Sequence, residues 1–242
     1  MPDRPENLLD FTGRCVLLTG AAGNLGRALA AAFAARGAKL ALVDLRREAL
    51  EKAYGAENEQ RLFAGANLVA QDEVERAVRA ILARFGRIDV LVNVAGGFRM
   101  GEAVHETSDA NWDFLFDLNA RSLLHAARAV VPHMLAAGGG KVVNIGAFAA
   151  QKGAARMGAY AAAKSAVIRL TESMAAELRD NNVNVNCVLP TIIDTPENRA
   201  AMPAADPARW VAPADLASVI LFLASDAARA VHGAALPVTG LS

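Results

Sequence analysis

Short apolar runs alternate along this chain with longer segments whose apolar positions recur at helical spacing. The first run, Arg14-Cys-Val-Leu-Leu-Thr19, is followed by a small-residue-rich helical stretch over residues 27–36, which Gly37 closes. Residues 39–43 form a second strand that ends on Asp44. The pattern then repeats: helix 47–54 precedes strand 61–66, helix 72–85 precedes strand 90–94, and the long helix 111–136 precedes strand 141–145. A helix over about 156–180 leads to strand 183–189, and helix 213–224 leads to strand 236–239. Strands that are apolar throughout, instead of alternating, are buried on both faces. That requires a mainly parallel sheet covered by helices on both sides through right-handed crossovers. The predicted class is α/β, a doubly wound parallel sheet of seven strands.

Composition narrows what such a sheet can serve. No Pro/Gly/Ser-rich linker interrupts the 242 residues, which predicts a single domain over 1–242. Lys plus Arg number 25 and Asp plus Glu 25, with no basic run, so neither nucleic acid nor an anionic membrane is an expected partner. The start, Met-Pro-Asp-Arg-Pro-Glu-Asn, is polar, and no apolar run approaches a membrane span, so a cytoplasmic, soluble protein is expected. Cys15 and Cys187 sit in apolar strands and read as small buried hydrophobes. The four histidines are scattered without ligand spacing, so no metal is expected.

Candidate chemistry begins where the first strand meets the first helix. Gly20, Gly23 and Gly26, with Asn24 and Leu25 between them, lie where loop amides and a helix N-terminus can receive a pyrophosphate, the Rossmann arrangement. Asp44, at the end of the second strand, suits the adenosine ribose hydroxyls and would repel a 2′-phosphate, which favours NAD(H) over NADP(H). Arg46 and Arg47 follow it, and either could meet a 2′-phosphate by swinging back. Further along, Tyr160 and Lys164 stand at spacing i, i+4 on one helix face, where a cation can stabilise a phenolate and depress its pKa. An isolated Tyr-x-x-x-Lys is otherwise ordinary helix packing.

Taken in order, Thr19-Gly-Ala-Ala-Gly-Asn-Leu-Gly26, Asn93-Val-Ala-Gly96, Asn119, Tyr160-Ala-Ala-Ala-Lys164 and Pro190-Thr-Ile-Ile-Asp-Thr195 resemble the short-chain dehydrogenase/reductase family over residues 12 to 240. The resemblance implies a hydride-transferring enzyme. Tyr160 would be the proton donor or acceptor, Lys164 would hold the nicotinamide ribose, and Asn119 would anchor a water in a proton path. It also implies that Asn93, Ala95 and Gly96 lie along the adenosine and support the sheet, and that Asn67 receives the adenine amino group. Pro190, the backbone of Ile193 and the hydroxyl of Thr195 would meet the carboxamide, so that the B face of the ring is used. Residues 195–212, with Met202 and Trp210, would form a mobile substrate lid, or else a connection whose Trp210 simply packs on the core. Phe98, Arg99, Arg156, Met157 and Asn198 are the further candidates to face substrate. A homotetramer built on helices 111–136 and 156–180 and the last strand is implied as well.

Three positions depart from the family pattern. Asn24 replaces a glycine and is expected to tolerate a left-handed backbone there. Thr191 replaces another and is expected to narrow the nicotinamide pocket. Ala147 stands thirteen residues before Tyr160, where the family usually has a Ser that donates to the substrate oxygen. An alanine there is similar to dihydropteridine reductases, as are Val94-Ala-Gly-Gly97-Phe98 and 189–210. The expected substrate is therefore a small carbonyl/alcohol or imine-type molecule. The alternative left by Ala147 is a catalytically weak NAD-binding sensor or scaffold.

Overall fold

The computed structural model describes residues 8–242, so the polar first seven residues, and the expectation attached to them, lie outside the described region. Seven parallel strands form one sheet in the order β3-β2-β1-β4-β5-β6-β7. They are β1 Cys15–Thr19, β2 Lys39–Asp44, β3 Arg61–Gly65, β4 Val90–Asn93, β5 Gly140–Ile145, β6 Val183–Pro190 and β7 Ala235–Val238. The helices are α1 Asn24–Ala34, α2 Arg47–Tyr54, α3 Gln71–Phe85, α4 Asp109–Phe116, α5 Ser122–Ala136, α6 Gly158–Leu178, α7 Pro196–Ala201 and α8 Pro213–Ala224.

The first strand explains why the strands read as unbroken apolar runs. Val16 and Leu18 enter one core with Leu29 and Phe33 of α1 and Leu216 and Ile220 of α8. Cys15 and Leu17 enter the opposite core with Val78 and Ile81 of α3 and Val130 and Met134 of α5. Each such side chain, fully buried, contributes roughly 1.5–3 kcal/mol of transfer free energy. Both cysteines are fully buried, Cys15 in the second core and Cys187 in a smaller cluster with Ile168 and Leu189, and desolvation pushes the Cys15 thiol up to about 12 and the Cys187 thiol up to about 11. Among the described residues no helix is long and apolar enough to cross a membrane.

The helix expected over 111–136 starts earlier, because the Ser108 hydroxyl caps it by accepting from the Asn111 amide at 3.3 Å. It is also not α-helical throughout. A π-helical turn, Asp117–Arg121, joins α4 to α5, and Asn119 lies inside that turn. No periodicity argument distinguishes a single π turn, since it inserts one residue without interrupting the helix.

Strand order reverses at β1, with β2 on one side and β4 on the other, so a crevice opens beyond the carboxyl ends of β1 and β4. Buried polar groups tie the strands together beneath it. The Thr19 hydroxyl accepts from the amides of Val94 at 3.0 Å and Ala95 at 3.2 Å. Asn93 Nδ2 donates to Asn144 Oδ1 and Asn144 Nδ2 donates to Thr171 Oγ1, each at 2.9 Å. Removing the middle member, as in Asn144→Ala, leaves the buried Asn93 amide without its acceptor and opens a gap beside Thr171, whose hydroxyl keeps its bond to the Val167 carbonyl. The expected loss of unfolding free energy is about 2–4 kcal/mol, read from urea denaturation; a loss within error of zero would show that this network does not hold the strands.

Candidate active site

Close approach dictates the glycine loop after β1. A Cβ on Gly26 would stand 2.4 Å from the Gly20 carbonyl oxygen and 2.7 Å from the Ala21 α-carbon, so no side chain fits. At Gly23 the nearest atom of the chain would be 3.4 Å away, and the protein's own packing leaves that side open. Gly23 caps α1 without a side-chain bond, and no acidic residue occupies the first turn. The first amides of α1 and its dipole therefore remain for an anion, which fits the pyrophosphate of a dinucleotide. Leu25 is 8% exposed with its side chain in the core, so only its backbone faces that space.

The tolerance of Asn24 for a left-handed backbone is not called on. This residue is the first of α1, and among the described non-glycine residues only Arg156 and Asn182 have positive φ. Its amide is a bridge instead: Nδ2 donates to Glu197 Oε2 at 2.6 Å, and Oδ1 accepts from Arg27 at 2.7 Å. Nothing in the sequence pointed to Glu197, which lies on α7 and reaches the loop only through tertiary packing.

Asp44 emerges at the end of β2 with its carboxylate partly committed. Oδ2 accepts from the Ala22 amide at 2.9 Å and Oδ1 from the Leu45 amide at 2.8 Å. The carboxylate thus pins the loop and keeps lone pairs for a further donor. Arg47 bonds Glu51 at 3.0 Å, Glu57 at 3.1 Å and the Phe63 carbonyl at 2.8 Å, while the exposed Arg46 is in no ion pair among the described residues. Asn67 is exposed, and its side-chain oxygen accepts from the Val69 amide at 3.1 Å. Asn93 is buried, and its side chain faces Asn144 within the sheet, leaving only its support of the sheet visible.

Two of the three expected catalytic residues, Asn119 and Lys164, converge, and Gly96 marks the place. A Cβ there would lie 2.9 Å from Asn119 Oδ1 and 3.2 Å from Lys164 Nζ, so both groups crowd the same bare α-carbon. Asn119 clamps the neighbouring residue: Oδ1 accepts from the Gly97 amide at 3.1 Å while Nδ2 donates to the carbonyls of Gly97 and Leu115, each at 2.9 Å. Both amide hydrogens are spent inside the chain, so this side chain can offer a water only a remaining lone pair. Lys164 is buried, and its ammonium donates to the Ile145 carbonyl at 2.8 Å. Tyr160 lies one turn before it on α6, its ring edge-to-face with Phe98 at 4.8 Å.

The expected depression of the Tyr160 pKa by Lys164 is not what the site produces. Burial pushes the Tyr160 phenol up to about 12, and the same desolvation draws the Lys164 ammonium down to about 8. Each group is governed first by its own loss of water.

Beyond β6, Pro190 leads into Thr191, whose hydroxyl donates to the Thr239 carbonyl at 3.0 Å and bonds the Ser242 hydroxyl at 2.8 Å. Thr191 is thereby turned toward the C-terminus and does not project into a pocket as expected. Asn198 Nδ2 donates to the Ile193 carbonyl at 2.8 Å, and the Thr195 hydroxyl accepts from the Asn198 amide at 3.2 Å, capping α7. Asp194 and Arg199 form a two-pronged ion pair at 2.6 and 2.7 Å. Trp210 is packed away at 7% exposure. Ala147 follows β5, buried and without a hydroxyl.

A family model described as short chain dehydrogenase matches residues 14–205. The chain is 36% identical to D-threitol dehydrogenase from Mycolicibacterium smegmatis, over 99% of this chain and 98% of that protein. It is 35% identical to 2-(R)-hydroxypropyl-CoM dehydrogenase from Xanthobacter autotrophicus, over 94% and 97% of the two chains. A solved structure of NAD+-bound xylitol dehydrogenase superposes with a TM-score of 0.87 at 28% identity, covering 95% of this chain and 99% of that one.

Burial of Lys164 carries a prediction for stability. Its folded-state pKa of about 8 lies below the ordinary 10.5, so the folded protein disfavours the charged form. That cost is fully present below pH 8 and fades as the pH rises toward 10.5. Relative to Lys164→Met, the wild type is expected to gain up to about 3 kcal/mol between neutral pH and that limit, in urea denaturation at a series of pH values. A difference that does not change with pH would mean that the ammonium is not desolvated.

Proposed function

The chain belongs to the short-chain dehydrogenase family, and from that premise we propose that it is an NAD(H)-dependent oxidoreductase acting on a small carbonyl/alcohol or imine-type molecule. The observation that carries the reading is the convergence of Lys164 and Asn119 beneath Gly96, one helical turn from Tyr160. When bound, the nicotinamide supplies or accepts the hydride. The protein's part is to bind, to orient and to manage one proton.

Gly20, Gly23, Asn24, Leu25 and Gly26 present the loop and helix amides that hold the pyrophosphate, and Asp44 takes the ribose hydroxyls. The Asp44 carboxylate supports NAD(H) over NADP(H), because a 2′-phosphate would be repelled by it; Arg47 is engaged by Glu51 and Glu57, which leaves Arg46 as the guanidinium that a 2′-phosphate would have to recruit. Asn67, Ala95, Gly96, Pro190, Ile193 and Thr195 complete the cofactor's surroundings, with Asn93 acting through the strand it anchors.

Tyr160 places its hydroxyl at the substrate oxygen. With its pKa raised to about 12, the phenol holds its proton at neutral pH, the form that reduction of a carbonyl requires. Oxidation of an alcohol needs the reverse transfer, with Tyr160 as the phenolate that accepts the proton, and Lys164 is assigned to hold the nicotinamide ribose. Ala147 withholds one donor, a loss worth roughly 10²–10³ in rate where nothing replaces it, so substrates that are already polarised, or held firmly elsewhere, are favoured. Residues 195–212 serve as the lid, joined to the phosphate loop through Glu197 and Asn24.

A substrate panel tests the assignment. It begins with polyols and other hydroxyl compounds, since the relatives are a D-threitol and a 2-(R)-hydroxypropyl-CoM dehydrogenase, and includes ketones and quinonoid pterins. Tyr160→Phe is expected to lower kcat by about 10²–10⁴ while NADH still binds. Undiminished turnover in that variant would remove Tyr160 from the chemistry, and equal wild-type affinity for NADPH and NADH would remove the cofactor preference.

We also propose a cytoplasmic homotetramer. Trp112, 44% exposed and stacked on Phe116 at 4.3 Å, and Leu124, 42% exposed, leave an apolar surface along α4 and α5. Leu236 and Leu241 do the same at and beyond β7. Sedimentation equilibrium is expected to give four chains, and a monomer at micromolar concentration would rule the assembly out.

A further inference from the structure

Two arginines line the same pocket as Tyr160, and neither is in an ion pair among the described residues. Arg99 and Arg156 stand there with Met100 and Met157. The ion pairs of the described arginines involve residues 14, 47, 76, 79, 87, 121, 169 and 199, so that 99 and 156 belong to none. Their one acidic neighbour in the pocket is Glu102, whose oxygens are engaged by the Ser108 amide and hydroxyl, at 3.1 and 3.3 Å, and by Asn111 Nδ2 at 3.0 Å. Those bonds, Asn111 first, hold the Glu102 carboxyl below its usual range, so it stays ionised and offsets one of the two positive charges.

Both guanidinium groups are positioned in advance. Arg99 lies over the Phe114 ring, 3.6 Å from its centroid, which fixes its plane without consuming an N–H donor. Arg156 sits at φ +61, a left-handed conformation costing a side-chain-bearing residue about 1 kcal/mol or more. Its backbone carbonyl accepts from the Gly101 amide at 2.9 Å, and its guanidinium donates to the Gly101 carbonyl at 2.8 Å. That spends one N–H and leaves the others for a ligand. A glycine would meet the backbone requirement without strain, so the arginine side chain is what the strained position retains.

The geometry points to a substrate that carries an oxyanion, such as a carboxylate, phosphate or sulfonate, bound by Arg99 and Arg156 while its reacting carbon faces Tyr160. This rests on the oxidoreductase reading above. It also answers the gap at Ala147: an anchored anion supplies orientation from a remote part of the substrate, where the protein lacks a donor at the reacting oxygen.

Matched pairs of short hydroxy acids and their methyl esters, offered with NAD, test this. The wild type is expected to favour the best acid over its ester by about tenfold or more in kcat/KM, the size of a hydrogen-bonded charge interaction. In the double variant Arg99→Ala, Arg156→Gly, in which glycine keeps the backbone at position 156 unstrained, that selectivity collapses, chiefly through KM for the acid. An ester used as well as its acid, or a variant that loses both equally, overturns the clamp. If no member of any pair is oxidised, the oxidoreductase reading suffers, and the clamp is judged separately by calorimetric titration with benzoate and benzamide. Binding of benzoate that is lost in the double variant sustains it, and an equal response to the acid and the amide, or to neither, sinks it.

Discussion

An ammonium group buried to the degree of Lys164 is costly, and the centre of this structure is arranged around tolerating it. The Ile145 carbonyl takes one of its hydrogens, β5 supplies that carbonyl, and α6 brings the side chain in. A Cβ on Gly96 would crowd it at 3.2 Å. Asn119 enters the same space from the π turn and fastens Gly97 by both backbone groups. Strand β4, the π turn and α6 are thereby locked at one point, and Tyr160 is carried there by α6. A buried cation of this kind is poor at adding stability, which makes its retention an argument for chemistry.

The same crevice is stiffened from below by polar contacts that a purely apolar sheet would not need. Thr19, Asn93, Asn144 and Thr171 connect β1, β4, β5 and α6 where the strand order reverses. Asp44 belongs to this design, since it receives loop amides with the same carboxylate that is proposed to receive a ribose. Preorganisation of this sort is paid for in folding and recovered when a ligand meets groups already in place.

The loops around the crevice carry the remaining contacts. Ala147 offers no side-chain donor, while Asn24 bonds Glu197 and Arg27. Arg99 and Arg156 add positive charge beside Tyr160, one held by stacking and the other by a strained backbone. Specificity in such a site comes from these variable loops, and the sheet and the Tyr/Lys helix leave it open.

The fold was legible in the sequence because a strand buried on both faces must be apolar throughout, and the alternation of strands with helices leaves few topologies. The motif residues were legible for a related reason: Gly26 answers to a close backbone approach that no side chain permits, Gly96 to crowding by Asn119 and Lys164, and Tyr160 and Lys164 share a face through helix geometry alone. What the tertiary structure decided depended on partners distant along the chain. Only packing could put a π turn at Asn119, turn Thr191 toward Ser242, give Asn24 the partner Glu197, or hold Arg47 on Glu57. It likewise set the ionisation of Tyr160 and Lys164, which spacing alone had read as a phenol lowered by a cation. Spacing fixes which groups are neighbours on a helix, but water is excluded by the whole assembly, and at this site desolvation is the larger effect.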